Sequence, residues 1–201
     1  PESWEWLLHG LWWSGLRIGE ALNLHWTDDR LLRVDFEGRR PMFRIRGDGH
    51  KSGKDCTLPM APEFAELLYT VPEEEREGFV FDPRPIRNTG RCKGRMRLDT
   101  VSKVITKIGR QANIKVAENA AGKIKYASAQ DLRRAFGFRW SMRVMPAILQ
   151  QLMRHESIQT TMEFYVGRNA EAAADVIWDA IKVPTDGSAT RVSEVSNVRS
   201  S

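Results

Sequence analysis

Leu152-Met153-Arg154-His155-Glu156-Ser157-Ile158-Gln159-Thr160-Thr161-Met162-Glu163-Phe164-Tyr165-Val166 is the stretch on which the reading of this chain turns. It opens with a basic turn carrying a histidine, runs through a Ser/Thr-rich helix start and ends in a tyrosine. Thr161, Phe164 and Tyr165 stand at i, i+3 and i+4, which predicts that they share one helical face. A tyrosine hydroxyl can act as a covalent nucleophile, but with a free pKa of about 10 it is a weak one. It needs cations around the group it attacks, so the rest of the chain is read for cations.

Outward from that stretch, apolar spacing predicts helices over most of the chain. Trp4, Leu7, Leu8, Leu11 and Trp12 mark a first helix, ended by Ser14-Gly15. Ile18, Ala21, Leu22 and Leu24 mark a short second one, with Arg17 at its start and Glu20 one turn on. Residues 31–36, 41–46 and 55–59 read as three strands of a small antiparallel sheet, the last two joined by a Gly-rich cationic turn over 47–54. Helices follow over 61–69, from an Asp99 N-cap to Ala112, from a Ser128 cap with Asp131 at N3 to about Arg143, and from Pro146 through Leu152. Tyr69 ends an apolar stripe and is expected in the core. Residues 73–77 read as an acidic loop and 114–127 as another loop. Residues 84–97 form a long basic loop with no acidic residue, of the kind that is functional or disordered rather than packed. Asn169 caps a last helix to Lys182, and disorder is expected over the polar tail 183–201. The fold class is α+β, mainly α, with one small three-stranded sheet, and residues 1–182 are expected to form the domain.

The chain's 201 residues suffice for one substantial domain. A formal net charge of +5 and a pI near 9.4 suggest a polyanionic partner. Cys56 and Cys92 are too few for a disulfide framework or a zinc cluster, so a reducing cytoplasm is the default. No apolar run is long enough to span a bilayer, and no signal-peptide pattern opens the chain. The sequence begins with Pro1 inside a helical pattern, and we read it as a piece of a longer protein.

Four motifs together carry a family resemblance. Ser14-Gly15-Leu16-Arg17-Ile18-Gly19-Glu20-Ala21-Leu22-Asn23-Leu24 resembles the first arginine box of the tyrosine recombinases, the phage integrase family. Gln130-Asp131-Leu132-Arg133-Arg134-Ala135-Phe136 is similar to the second box, which in the family runs His-x-x-Arg. The opening stretch resembles the third. Lys51-Ser52-Gly53 sits where the family carries its catalytic lysine. Each box alone is weak; four in this order, covering about residues 4–182, are specific. The resemblance implies a catalytic domain that cleaves and rejoins double-stranded DNA through a 3′-phosphotyrosyl bond. It also implies a bacterial or phage origin, a homotetramer on two duplexes, a Holliday junction intermediate, and no ATP. An N-terminal domain that closes a clamp on DNA in the family is not in this chain.

The chemistry of the residues agrees with that implication. Attack on a phosphodiester concentrates negative charge on the phosphoryl oxygens, which guanidiniums hold by bidentate, charge-assisted hydrogen bonds. Arg17 and Arg133 take this role, against the plain alternative of surface ion pairs such as Arg17 with Glu20. Glu20 is read as a structural partner of an arginine. Lys51 would protonate the leaving 5′-oxygen, with Lys54 as its rival. His155 would donate to a phosphoryl oxygen. Among Tyr69, Tyr126 and Tyr165, the last stands ten residues after His155, within the family's spacing, and is assigned as nucleophile. Arg84, Arg87, Arg91, Lys93, Arg95, Arg97, Lys103, Lys107 and Arg110 would track the DNA backbone. Arginines and lysine supply the charge, so no metal or cofactor is expected.

One position departs from the family. Gln130 stands where the histidine of the second box is usual. A glutamine donates a hydrogen bond but does not titrate near neutrality. The competing readings are therefore a catalytically impaired DNA-binding descendant and, within the same chemistry, a type IB topoisomerase-like enzyme.

Overall fold

A computed structural model of the chain describes residues 2–45, 55–86, 94–165 and 178. Residues 1–166 form one compact unit and 167–201 a second, in which only Trp178, helical, is described. Helix α1 (Glu2–Ser14) buries Trp4, Leu7 and Leu11 and packs against α5 (Ala129–Ser141) and α3 (Pro62–Tyr69). Its partner α5 contributes Phe136, fully buried, and α3 contributes Phe64 and Leu68. Around this core lie α2 (Ile18–Asn23), α4 (Leu98–Gln111), α6 (Pro146–Met153) and α7 (Ile158–Met162). The architecture is mainly helical with a three-stranded antiparallel sheet, as the spacing predicts, and a further two-stranded one.

The first sheet orders β1 (Arg33–Asp35), β2 (Met42–Ile45) and β3 (Cys56–Pro59) antiparallel, with Val34, Phe43 and Leu58 in one cross-strand row. Val34 and Phe43 point into the core, which fixes the register: a one-residue slip would turn both outward. Helix α6 packs on β3 and so ties the sheet to the third box.

Three expectations are corrected. The 114–127 stretch holds a hairpin, β4 (Lys115–Glu118) and β5 (Ile124–Tyr126), closed by Asn119 and Gly122. Its β4 is exposed on both faces, so it lacks the apolar alternation that identifies a strand from sequence. Helix α4 starts at Leu98 after Arg97 rather than after Asp99, whose carboxylate instead lies in the first turn, favourable to the helix dipole. Tyr69 is 53% exposed and packs at a tilt against Phe36 with centroids 5.1 Å apart, at the rim rather than in the core. The cap of α5 is as expected. Asp131 accepts from the Ser128 backbone N–H at 3.0 Å, and Lys125 of β5 adds an ion pair to it at 2.7 Å.

Candidate active site

The three boxes meet at the C-terminal end of α6. A helix end leaves carbonyls without intrahelical partners and carries partial negative charge, so it attracts cations. Three successive carbonyls there accept from three guanidiniums. Arg154 donates to Leu152 O at 3.0 Å, Arg133 to Met153 O, and Arg17 to Arg154 O at 3.4 Å from each Nη. The last two bring the first and second arginine boxes onto the third.

Gly15 makes this convergence possible. Its φ is +60°, and a Cβ there would lie 2.3 Å from the Phe136 ring, so both its backbone conformation and its space require glycine. Its carbonyl accepts from Arg133 Nη1 and, at 2.9 Å, from Arg154 Nη2. Glu20 is the anion at the centre. It accepts from the Arg17 backbone N–H at 2.7 Å and pairs with the Arg17 guanidinium at 2.9 Å, with Arg154 at 3.2 Å and with Arg133 at 4.0 Å. The surface ion pair weighed for Arg17 is thus present. It does not bury the residue, whose side chain stays 49% exposed, whereas Arg133 is 3% exposed.

His155 follows directly. Its backbone N–H donates to Gln150 O at 3.0 Å, and the Gln150 amide donates back to His155 O at 3.2 Å. Its Nδ1 lies 2.9 Å from Thr161 Oγ1, and Thr161 is fully buried, so α7 fixes the ring. The ring stacks on Phe164 at 5.9 Å between centroids. Tyr165 follows one turn after α7 ends, and its hydroxyl donates to Val144 O at 2.6 Å, in the α5–α6 connection.

The electrostatics follow from this crowding. Burial pushes the Glu20 carboxyl up, but Arg154, the hydrogen bonds from Arg17, and Arg133 outweigh it, and the net shift is downward. Burial, then the nearby Arg154 and Arg17, lower the Arg133 guanidinium to about 9, which leaves it charged at neutral pH. Burial, then Arg133, Arg17 and Arg154, lower His155 to about 4. Neutral His155 keeps one ring N–H, and the Thr161 hydroxyl, which can donate or accept, is compatible with it on either nitrogen.

The other expected site residues are placed as follows. Gln130 is exposed in the first turn of α5, one turn before Arg133. Lys51, Lys54, Arg87, Arg91 and Lys93 lie outside the described residues. Arg97, Lys103, Lys107 and Arg110 are exposed along α4. Arg84 is exposed and pairs with Asp82 at 2.8 Å. Arg95 turns inward: it donates to Leu22 O and to Phe81 O, and its guanidinium sits 3.4 Å from the Phe79 ring centroid. A basic loop reveals charge but not direction, and Arg95 uses its charge to hold α2 against the 79–82 segment. The residue that sequence reading left without a role is Arg154. A non-glycine residue with a left-handed backbone is invisible in sequence. Among the described residues no group of three His, Cys, Asp or Glu side chains is arranged to hold a metal ion.

Three arginines and a histidine gather around one helix end, with a tyrosine just past α7, an arrangement chemically able to hold an oxyanion. The sequence matches the model of the phage integrase family over residues 6–172, and the chain belongs to that family. Among solved structures, the Tn1549 transposon integrase in complex with transposon right-end DNA is similar at 19% identity and a TM-score of 0.56, over 89% of this chain and 59% of that one. The XerA recombinase is similar at 20% identity and a TM-score of 0.52, over 90% of this chain and 62% of that one. XerH, solved in a post-cleavage complex with a palindromic difH substrate, matches at 18% identity and a TM-score of 0.53, over 88% and 46%. At these identities the likeness establishes the fold, and the chain spans less than two thirds of each of those structures. No curated protein matches the chain.

Proposed function

We propose that this chain is the catalytic domain of a site-specific recombinase that cleaves and rejoins double-stranded DNA through a 3′-phosphotyrosyl intermediate. The observation that carries the reading is the gathering of Arg17, Arg133 and His155 at the end of α6, with Arg17 half exposed. The Tn1549 integrase and XerH, which share the fold, were solved on DNA, and this supports duplex DNA as the partner. In this reading Arg17 and Arg133 grip the non-bridging oxygens and His155 donates to one of them. The Tyr165 oxygen attacks phosphorus, its proton passes to solvent water, and the P–O5′ bond breaks. Lys51 protonates the departing 5′-oxygen. Attack by a 5′-hydroxyl of a partner duplex reverses the step on a new strand, within the family's tetramer. The domain extends to about residue 182 and 183–201 is a tail, which limited proteolysis checks.

The test uses duplexes with a nick and a randomised core, because the native site is undefined. The unsubstituted chain should leave a covalent adduct on denaturing electrophoresis, and Tyr165→Phe should leave none while binding duplex equally. An adduct that persists in Tyr165→Phe rules out this nucleophile. Gln130 favours a second reading, the impaired DNA-binding descendant. General acid–base help is worth about 10²–10⁴-fold, so a partial loss slows the enzyme without silencing it. If the parent is inert and Gln130→His forms adduct, the second reading stands.

A further inference from the structure

We propose that Arg154 is a positioning residue that keeps Glu20 from gripping the Arg17 guanidinium through both carboxylate oxygens, so that Arg17 stays available to a phosphate. The inference rests on the reading of this site as a phosphate-gripping one. Arg154 stands as the C-cap of α6 with φ 55° and ψ 46°, a backbone conformation that suits glycine better than a side-chain-bearing residue. Its side chain is 8% exposed. A long cation held in that backbone state and buried to that degree is explained by its contacts.

Those contacts run from the third box to the first. The guanidinium spans Gly15 O at 2.9 Å and Glu20 Oε2 at 3.2 Å, while its Nη1 donates to Leu152 O at 3.0 Å. Its own carbonyl lies 3.4 Å from both Arg17 Nη atoms. Arg154 therefore does two things at once. It takes a share of the Glu20 charge, and it offers Arg17 a weak neutral acceptor at a distance from which a phosphate oxygen can draw the guanidinium away. Glu20 has two carboxylate oxygens. With Arg154 removed, Oε2 loses a contact at 3.2 Å and keeps only the hydrogen bond from the Arg17 backbone N–H at 2.7 Å, which leaves it room for a second donor, while Oε1 already holds Arg17 Nη1 at 2.9 Å. The guanidinium can then close on both oxygens in a bidentate pair, which competes directly with bidentate phosphate. Arg154 does not itself touch the reacting group in this scheme; it acts through Glu20.

The test is a set of single and double variants read in two ways. The first is affinity for inorganic phosphate, followed by NMR at the Arg17 side-chain N–H. Arg154→Gly should weaken it about ten-fold, the worth of one weakened charge-assisted hydrogen bond. Glu20→Gln placed in the Arg154→Gly background should recover most of that loss, because the competitor for Arg17 has been neutralised. A merely structural role for Arg154 predicts no recovery. Arg154→Lys keeps a charge but loses the fork that spans Gly15 and Glu20. It should fall between parent and Arg154→Gly, and it carries the test if the glycine variant does not fold. Phosphate affinity unchanged in Arg154→Gly and Arg154→Lys, or no recovery on adding Glu20→Gln, overturns the proposal. The second reading is adduct formation on the nicked duplex pool, where Arg154→Gly should lower the limiting rate and leave half-saturation by DNA unchanged. Absence of adduct from the unsubstituted chain counts against the recombinase reading and leaves the phosphate titration to decide on Arg154.

Discussion

His155 carries a depressed pKa inside the folded chain, and that has a thermodynamic consequence. Its folded value is about 4 against 6.5 for the free side chain, through burial and then the three nearby guanidiniums. The unfolded chain therefore binds more protons between those values, and stability falls as pH drops through the window. The contribution is fully present above pH 6.5 and is lost toward pH 4. The ring is partly exposed, so solvent screening cuts the loss between pH 6.5 and 4.5 to about 1 kcal/mol. Glu20, pushed up by burial but lowered overall by Arg154 and Arg17, acts in the same direction at the acid end of this window, so the His155 share is read as a difference between parent and variant. Melting temperature measured across this window should fall less steeply for His155→Gln than for the parent, and equal slopes would mean the ring is not held neutral. At this scale the sequence is legible where chemistry dictates residue type. Arg17, Arg133 and His155 are such residues, and the fold brings them together. Arg154 and Arg95 are not, because their roles depend on which way a buried side chain points.

Helix α4 passes close to the segment that leads into α5. A Cβ on Gly109 would lie 2.3 Å from Ala127 O, a backbone atom. Ala127 N–H donates to Ile114 O at 2.9 Å, and Ile114 N–H donates to Gly109 O at 2.9 Å, so the neighbour cannot retreat without losing a bond. Gly109→Ala gains up to ~1 kcal/mol in helix propensity but should still lose a net of about 1–2 kcal/mol through overpacking. In a chain of this size that lowers the melting temperature by roughly 2–8 °C. Gly19→Ala is the contrast: nothing lies within 4 Å of a Cβ there, and the substitution should hold or raise the melting temperature. A melting temperature for Gly109→Ala at or above the parent's would show that the crossing is loose. The β4–β5 hairpin beside this crossing is hidden from a sequence reading for a different reason. Its strands are four and three residues long and β4 faces solvent throughout, so pairing across Asn119 and Gly122, not an apolar pattern, makes it. Helices α1, α3 and α5 are legible because each buries an apolar stripe.

On the scale of the whole molecule, the exposed cations of α4 lie on one face. Lys103, Lys107 and Arg110 are spaced along it, and Arg110 also stands over the Tyr126 ring at 5.8 Å. If they meet phosphates, replacing all three by glutamine should flatten the plot of log affinity for duplex against log salt by about 0.9 for each phosphate no longer neutralised. An unchanged slope would return them to solvent-facing charge. The hydroxyl of Tyr165 points to Val144 O at 2.6 Å, a neutral backbone acceptor in the α5–α6 connection, and a bond of that kind is worth about 1 kcal/mol net. If Tyr165 is the nucleophile of the proposed reaction, it must leave that carbonyl before it attacks. The α5–α6 connection then acts as a rest position for the oxygen, and a duplex that seats a phosphate well has to draw the hydroxyl off it.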